Sequence, residues 1–318
     1  MHTDARTLEN NSLIEGDLCI IGAGAAGISM ALQWIGKPHK VILLEGGGLE
    51  YEPAMQDMYK GKSTGQPYYA LESTRLHYFG GTTGHWAGYC SKFDAIDFRK
   101  RDWVPNSGWP ITLNDLENYY PKAHELLELD HYSYDPAYWL KQDPSLKPLE
   151  FDNTVVWNKI WQFSPPTRFG TKYRAPVINA SNIHLFTHAN VTAIHADGAS
   201  IKEVTVKNLA GKQHTVRAKH FVLACCAIQN ARLLLASNLG NQHHQVGRYF
   251  MEHLEIPSAE LHLPTARALK FYELKFFYTK MRAELALSEQ QQQKLQVLNG
   301  TAALSPKETG QEVGATNT

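Results

Sequence analysis

Residues 17–48 read DLCIIGAGAAGISMALQWIGKPHKVILLEGGG. Leu18 to Ile21 is an apolar run of the length and composition of a buried strand. Gly22, Gly24 and Gly27 follow at once in G-x-G-x-x-G spacing. From Ile28 to Ile35 the apolar residues recur at helical intervals, and Val41 to Leu44 is a second apolar run that ends on Glu45. The pattern predicts a strand, a tight turn, a helix and a parallel strand capped by an acid.

Each part has a physical reason. Gly22 permits a sharp turn, Gly24 lets a pyrophosphate approach bare main chain, and Gly27 lets the helix pack close to the strand. Ala23, Ala25 and Ala26 lie between these glycines and are candidate cofactor-binding positions of the same turn. The free N–H groups at the helix start favour an anion. Glu45, eighteen residues after Gly27, lies where a carboxylate accepts from ribose hydroxyls. The stretch predicts a dinucleotide site and does not by itself separate FAD from NAD.

Working outward, the chain has 318 residues, enough for two domains, and 31 basic side chains balance 31 acidic ones. A neutral total argues against a nucleic-acid footprint. Four cysteines are too few for a disulfide scaffold, and Cys225 and Cys226 are adjacent. Residues 1–16 are polar and acidic without the basic-then-apolar order of a secretory signal. No run approaches eighteen apolar residues. The expectation is a soluble, cytoplasmic protein. The residue pattern suggests no metal site.

Residues 49–76 read as an extended excursion. Gly80-Gly81-Thr82-Thr83-Gly84 follows, too glycine-rich for a helix interior, with His85 and Trp86 attached. Thr112 and Asp115 form a capping-box pattern ahead of a helical repeat that Pro121 should bend or break. Residues 131–182 are aromatic and proline-rich with little clean periodicity. Ile183–Thr187, Val191–Ala196 and Ile201–Lys207 read as strands, and His214–Arg217 as the return arm of a hairpin. Phe221–Cys225 reads as a further buried strand and Ala227–Ser237 as a helix. A helix-like aromatic stretch is expected at 269–278, and helical propensity at 288–298.

The segments YFGGTTGHWAG, FDAIDFRKRDWVPNSGWPI, SPPTRFGTKYR, IHLFTHANVTAI, FVLACCAIQNARLLLAS and VGRYFMEH join the opening stretch in an order that resembles the glucose–methanol–choline (GMC) flavoprotein oxidoreductases, in particular the bacterial and pyranose-oxidase-like members. The resemblance covers most of residues 14–253 and implies FAD rather than NAD. It implies an α/β fold with a discontinuous Rossmann-like FAD-binding domain over 14–110 and 183–252, carrying a β-ribbon insertion. An incomplete α+β substrate domain would cover 111–182 and 253–304, with a disordered tail at 305–318.

Position by position, Gly22, Gly24 and Gly27 match the family's pyrophosphate turn, and Glu45, followed by Gly46, its ribose-binding acid. Gly80, Gly81, Thr82 and Thr83 match the loop that lies against the isoalloxazine ring. His85, followed by Trp86, matches the histidine that bears covalent flavin in pyranose-oxidase-like members. Val191 matches the position whose backbone reads the adenine, and Ala224 to Asn230 the segment that returns to the cofactor.

Two departures stand out. Gly84 replaces a usual Asn or Thr, and Cys225-Cys226 replaces a usual Ala-Gly or Gly-Gly pair. The family's last third, with its catalytic histidine, has no counterpart here, so no catalytic residue is assigned and His253 reads as structural. The implied function is the FAD-binding portion of an oxidoreductase acting on CH–OH groups of an alcohol or sugar, with a possible C-terminal partner chain. The alternatives are a non-catalytic remnant or half of a split enzyme, and an NAD(P)-dependent Rossmann dehydrogenase.

Overall fold

The computed structural model describes residues 1–263, 269–273 and 280–305. Among them the strands are β1 (His2–Asp4), β2 (Leu13–Ile21), β3 (Val41–Leu44), β4 (Tyr89–Cys90), β5 (Val156–Phe163), β6 (Ile183–Thr187), β7 (Asn190–Asp197), β8 (Ser200–Lys207), β9 (Gln213–Leu223), β10 (Met281–Leu287) and β11 (Thr301–Ala302). The chain divides into two units, Met1–Trp86 with Thr167–Glu252, and Ala87–Pro166 with His253–Thr318.

The first unit is built on a seven-stranded sheet in the order β1-β6-β3-β2-β9-β8-β7. The first five strands run parallel, and β8 and β7 add antiparallel. Val41 to Leu44 is buried at every residue, and so is Leu18 to Ile21. This explains why both read as unbroken apolar runs, since a parallel strand covered on both faces has no polar side to show. Each such side chain contributes about 1.5–3 kcal/mol when fully buried. The helix Ala25–Trp34 connects β2 to β3, the crossover connection that a parallel pair requires.

Strand β3 lies on one side of β2 and β9 on the other, so the chain reverses direction across the sheet at the carboxyl end of β2. That is where ligands sit in open α/β sheets. Ile21 is paired with both Leu44 and Leu223, so three strands end together. The turns that follow them, at Gly22, Glu45 and Ala224, are neighbours.

In the second unit a four-stranded antiparallel sheet, β11-β10-β5-β4, packs one face on Trp139, Ile160, Phe271, Tyr272, Met281 and Ala283. Pro121 stands in the first turn of a helix, Tyr120–Leu127, after the capping box of Thr112 and Asp115 starts the Leu113–Glu117 helix. A proline in a first turn removes no hydrogen bond. The expected break is thus a clean start.

Several expectations change. The segments His214–Arg217 and Phe221–Leu223 belong to one strand, β9, whose first half pairs with β8 and whose Thr215–Leu223 stretch pairs with β2, and Ala224 and Cys225 follow it. The expected β-ribbon is therefore continuous with the parallel sheet rather than set apart from it. Residues 2–4 form a strand on β6, although the N-terminal stretch was read only as polar. Residues 87–110, expected with the nucleotide-binding part, fall in the second unit, where Tyr89 and Cys90 pair with β5. Residues 167–182, expected in the substrate domain, fall in the first. Helical propensity at 288–298 appears as the helix Glu289–Leu295, capped by Ser288. Residues 274–278 of the aromatic stretch and 306–318 of the tail lie outside the described residues, and residues 269–273 are not helical.

Candidate functional site

The three motif glycines are required for three different reasons. Gly22 has φ +103°, and a Cβ there would sit 2.6 Å from the Ala224 carbonyl oxygen. A Cβ on Gly27 would sit 1.9 Å from the Gly22 oxygen. Both sites are closed by backbone. Gly24 is different: no heavy atom lies within 4 Å of a Cβ placed on it, and its φ is an ordinary −83°. It stands open at the N-cap of the Ala25–Trp34 helix, where N–H groups favour an anion. Ala23 is buried beneath the turn, while Ala25 and Ala26 are exposed in the first helical turn.

Glu45 is only 5% exposed. One carboxylate oxygen accepts from the Ala23 N–H at 3.0 Å and the other from the Gly47 N–H at 2.9 Å. The acid expected to meet ribose therefore also braces its own loop, tying the glycine turn to Gly46-Gly47. Two of its roughly four lone-pair sites remain for other donors. Ala189 N–H donates to the Glu45 carbonyl, His188 N–H to that of Gly47, and the Asn190 side chain to that of Gly46. Val191 follows directly in β7, its side chain buried in the core. His77 caps the same loop: its Nε2 would stand 2.3 Å from a Cβ on Gly46.

The second glycine loop meets the first. Gly80 (φ +102°) donates its N–H to the Ala23 carbonyl at 2.8 Å, and a Cβ on Gly81 would come within 3.1 Å of the Gly24 Cα. Residues Gly81–Gly84 form a short 3-10 turn. Thr83 is buried, its hydroxyl donating to the Gly80 carbonyl and accepting from the Phe169 N–H; Thr82 is exposed. Arg168 holds the loop's far end, one guanidinium nitrogen donating to the carbonyls of both Thr83 and Trp86 at 2.9 Å. Trp86 donates from its indole to the Thr167 carbonyl. His85 is exposed at the loop tip, its pKa lowered by partial burial and then by the Arg168 charge.

At the third turn, Ala224 N–H donates to the Ile21 carbonyl at 2.7 Å. Asn230 spends its side chain on the turn itself, accepting from the Cys225 N–H and donating to the Leu223 carbonyl. The Cys225 thiol donates to the Ile21 carbonyl, and burial followed by the nearby Glu45 charge pushes it up to about 12. Cys226 adopts φ +66°, which explains why glycine is usual in that place in the resembled family.

The structure thus brings Gly22–Gly27, Glu45–Gly46, Gly80–Gly81 and Ala224 together, while the Val191 side chain turns into the core. Sequence reasoning passed over His77, Asn190 and Arg168, which fix these loops. Their signal is a single polar residue within a loop, which no spacing rule detects. The open main chain at Gly24 beside a helix start, with a buried acid one strand away, fits a dinucleotide pyrophosphate and its ribose. Among the described residues no group of three or more His, Cys, Asp or Glu could hold a metal ion.

Residues 169–255 match the GMC oxidoreductase family model (GMC_oxred_N). The 2-methyl-1,2-propanediol dehydrogenase of Mycolicibacterium austroafricanum is 24% identical over 75% of this chain and 55% of its own length. The 6'''-hydroxyparomomycin C oxidase of Streptomyces lividus is 24% identical over 73% and 53%. Among solved structures, pyridoxine 4-oxidase from Mesorbium loti aligns with a TM-score of 0.45 and 19% identity over 70% of this chain and 52% of that one. The chain spans about half the length of the curated relatives it matches. The family model covers the segment that leads through β6–β9 into the third turn, and relatives align along about three quarters of the chain, so the chain is similar to the glucose–methanol–choline oxidoreductases.

Proposed function

We propose that the first unit is the FAD-binding portion of an oxidoreductase that acts on CH–OH groups of an alcohol or sugar. The observation that carries this reading is the apposition of the two glycine loops, with Gly81 packed against Gly24 and Gly80 hydrogen-bonded to Ala23. One dinucleotide turn suffices for NAD. A second loop of bare main chain against the first suits a cofactor whose ring system continues past the pyrophosphate. The relatives' names, a propanediol dehydrogenase and a hydroxyparomomycin oxidase, support alcohol-class donors. The similarity to that family supports FAD.

When bound, the flavin supplies the hydride-accepting chemistry, and the protein supplies position and electrostatics. Gly24 and the N–H groups of the following helix hold phosphate, Glu45 orients ribose through its remaining lone pairs, and the Gly80–Thr83 main chain lies along the ring. Val191, His85, Trp86 and Asn230 frame the same cradle. No catalytic base is placed within it, so a proton acceptor would come from a further segment or a partner chain. A cytoplasmic location belongs to this reading; no helix among the described residues is long and apolar enough to cross a membrane.

The test is flavin binding by the purified chain, read by fluorescence quenching and anisotropy on titration with FAD. The expected result is saturable binding that Gly24→Ala weakens at least tenfold, about 1.4 kcal/mol, while the fold persists. A folded chain that takes up no FAD overturns the proposal.

A further inference from the structure

In the second unit the helix Tyr120–Leu127 ends at Glu128, whose φ of +55° reverses the chain. The returning segment lays Tyr132 and Tyr134 against His124. The His124 ring is 5% exposed and meets both tyrosines edge-on, with centroids 4.9 and 5.6 Å apart. The two tyrosine rings are themselves 6.0 Å apart. Tyr134 also packs on the apolar cluster that holds the buried Trp139.

Each phenol has its own proton acceptor. His124 Nδ1 lies 3.2 Å from the Asp130 carbonyl. A carbonyl only accepts, so Nδ1 carries the hydrogen and Nε2 the lone pair. Burial lowers the His124 pKa, which favours this neutral ring. The Tyr134 hydroxyl, 3.0 Å from Nε2, therefore donates to it. The Tyr132 hydroxyl donates to one Glu117 oxygen at 2.8 Å, and Lys92 donates to the other at 2.8 Å. These two hydrogen bonds lower the Glu117 pKa and keep it a carboxylate. Both phenols are pushed up, chiefly by burial, so neither ionises on its own near neutral pH. A tyrosine gives up an electron readily only when its proton leaves too, and here a base already touches each hydroxyl.

We propose that Trp139, Tyr134 and Tyr132 form a one-electron relay in which each tyrosine hands its proton to its own base, and that the relay takes up oxidising equivalents from small inorganic radicals. The relay does not rest on the FAD reading. The radical takes one electron from the Trp139 indole and leaves as its anion. The indole N–H stays in place, because the Ser133 carbonyl that accepts it is no base. Tyr134 returns one electron to the indole and its proton passes to His124 Nε2, leaving a phenoxyl radical beside an imidazolium. Tyr132 then gives one electron to Tyr134 and its own proton to Glu117, while the imidazolium returns its proton to the Tyr134 oxygen.

The experiment is pulse radiolysis of the full chain with azidyl radical, which attacks indoles before phenols, following indolyl and phenoxyl absorbance in time. The expected result is first-order conversion of indolyl to phenoxyl radical, independent of protein concentration and slowed in heavy water. Tyr134→Phe slows the conversion by roughly tenfold or more, and His124→Gln, which keeps the phenol but offers an amide in place of a base, slows it comparably. Tyr89→Phe leaves it unchanged, because that ring lies under the Arg282 cation, which opposes loss of an electron. Tyr132→Phe keeps the conversion and alters the electron-spin-resonance spectrum of the trapped radical, which then rests on Tyr134. If these residues serve packing alone, the variants move the melting temperature and not the conversion rate. A folded Tyr134→Phe or His124→Gln chain that converts at the unaltered rate overturns the proposal. Should both fail to fold, the unaltered chain decides: conversion without a heavy-water effect overturns it.

Discussion

Replacing Gly24 with alanine separates what the fold needs from what a ligand needs. Its φ of −83° and ψ of −165° are open to any residue, and a Cβ would meet nothing within 4 Å. Losing glycine's extra freedom in the unfolded chain stabilises by about 0.4–1 kcal/mol at a compatible site. Alanine is the poorer N-cap, which costs about 0.5–1 kcal/mol. The two offset, so stability without cofactor should change by less than about 0.5 kcal/mol, a melting shift of about 1–2 °C. Flavin binding should fall at least tenfold, about 1.4 kcal/mol, because the new methyl group occupies the approach to the main chain. Gly22→Ala and Gly27→Ala should behave in the opposite way. Their Cβ atoms would meet backbone oxygens at 2.6 and 1.9 Å; at Gly22 left-handed strain and overpacking together cost about 2–5 kcal/mol, and at Gly27 overpacking alone about 1–3 kcal/mol, with or without flavin. Urea unfolding followed by tryptophan fluorescence, with FAD titration of each variant, measures both quantities. A Gly24→Ala chain that unfolds as early as Gly22→Ala, or that binds FAD with unaltered affinity, refutes the assignment of roles.

Glu45→Gln should lower the stability of the cofactor-free chain by about 1.5–3 kcal/mol, because an amide group would oppose one of two buried backbone donors; an unchanged urea midpoint would show that Ala23 and Gly47 do not depend on it. Cys226→Gly should raise the melting temperature. Relief of the left-handed conformation returns about 1–2 kcal/mol, less the roughly 0.5–1 kcal/mol of glycine's chain entropy, whereas Cys226→Ala keeps the strain and should give no gain. The Cys225 and Cys90 thiols, pushed up by burial to about 12 and about 11, hold protons that the unfolded chain releases near pH 9. Their contribution is complete below pH 9 and is lost as pH rises towards 11–12, so urea midpoints should fall between pH 8 and pH 10, and fall less in Cys225→Ala. A midpoint that rises over that interval contradicts the assignment.

The parallel half of the sheet was legible because its strands are covered on both faces, which leaves a continuous apolar signal in β2, β3 and β6. The antiparallel sheet of the second unit was not, and β5 shows why. Its inward residues are Asn158, Ile160 and Gln162, and the two polar ones find partners far along the chain, the Asn158 oxygen accepting from the Tyr272 hydroxyl and the Gln162 amide nitrogen donating to the carbonyls of His131 and Ser133. The opposite face carries Trp157, Lys159, Trp161 and Phe163. Neither face is cleanly apolar, so the period of two is hidden even though the alternation is real. β1 was hidden for a related reason, as an edge strand of three residues anchored by the amino terminus on the carbonyls of Ile178, Ala180 and Ile183.

The site divides along the same line. Spacing revealed the residues whose requirement is local: a glycine with positive φ, a helix start, an acid at a strand end. It passed over those that act by position after folding. His77 closes Gly46, Arg168 pins the Thr83–Trp86 loop, and Asn230 was assigned to the cofactor although its side chain closes the Leu223–Cys225 turn. Gly24 is the instructive case between the two. Gly22 and Gly27 are explained completely by atoms of this chain, because backbone oxygens exclude any side chain there. Nothing in the described structure excludes one at Gly24. A glycine that neither torsion nor packing demands, placed where a helix offers free N–H groups, is accounted for by something outside the polypeptide pressing on the main chain. That asymmetry within one six-residue motif carries more weight for a bound phosphate than the motif's spacing does, since the spacing alone is met by any turn in which three glycines are needed for packing.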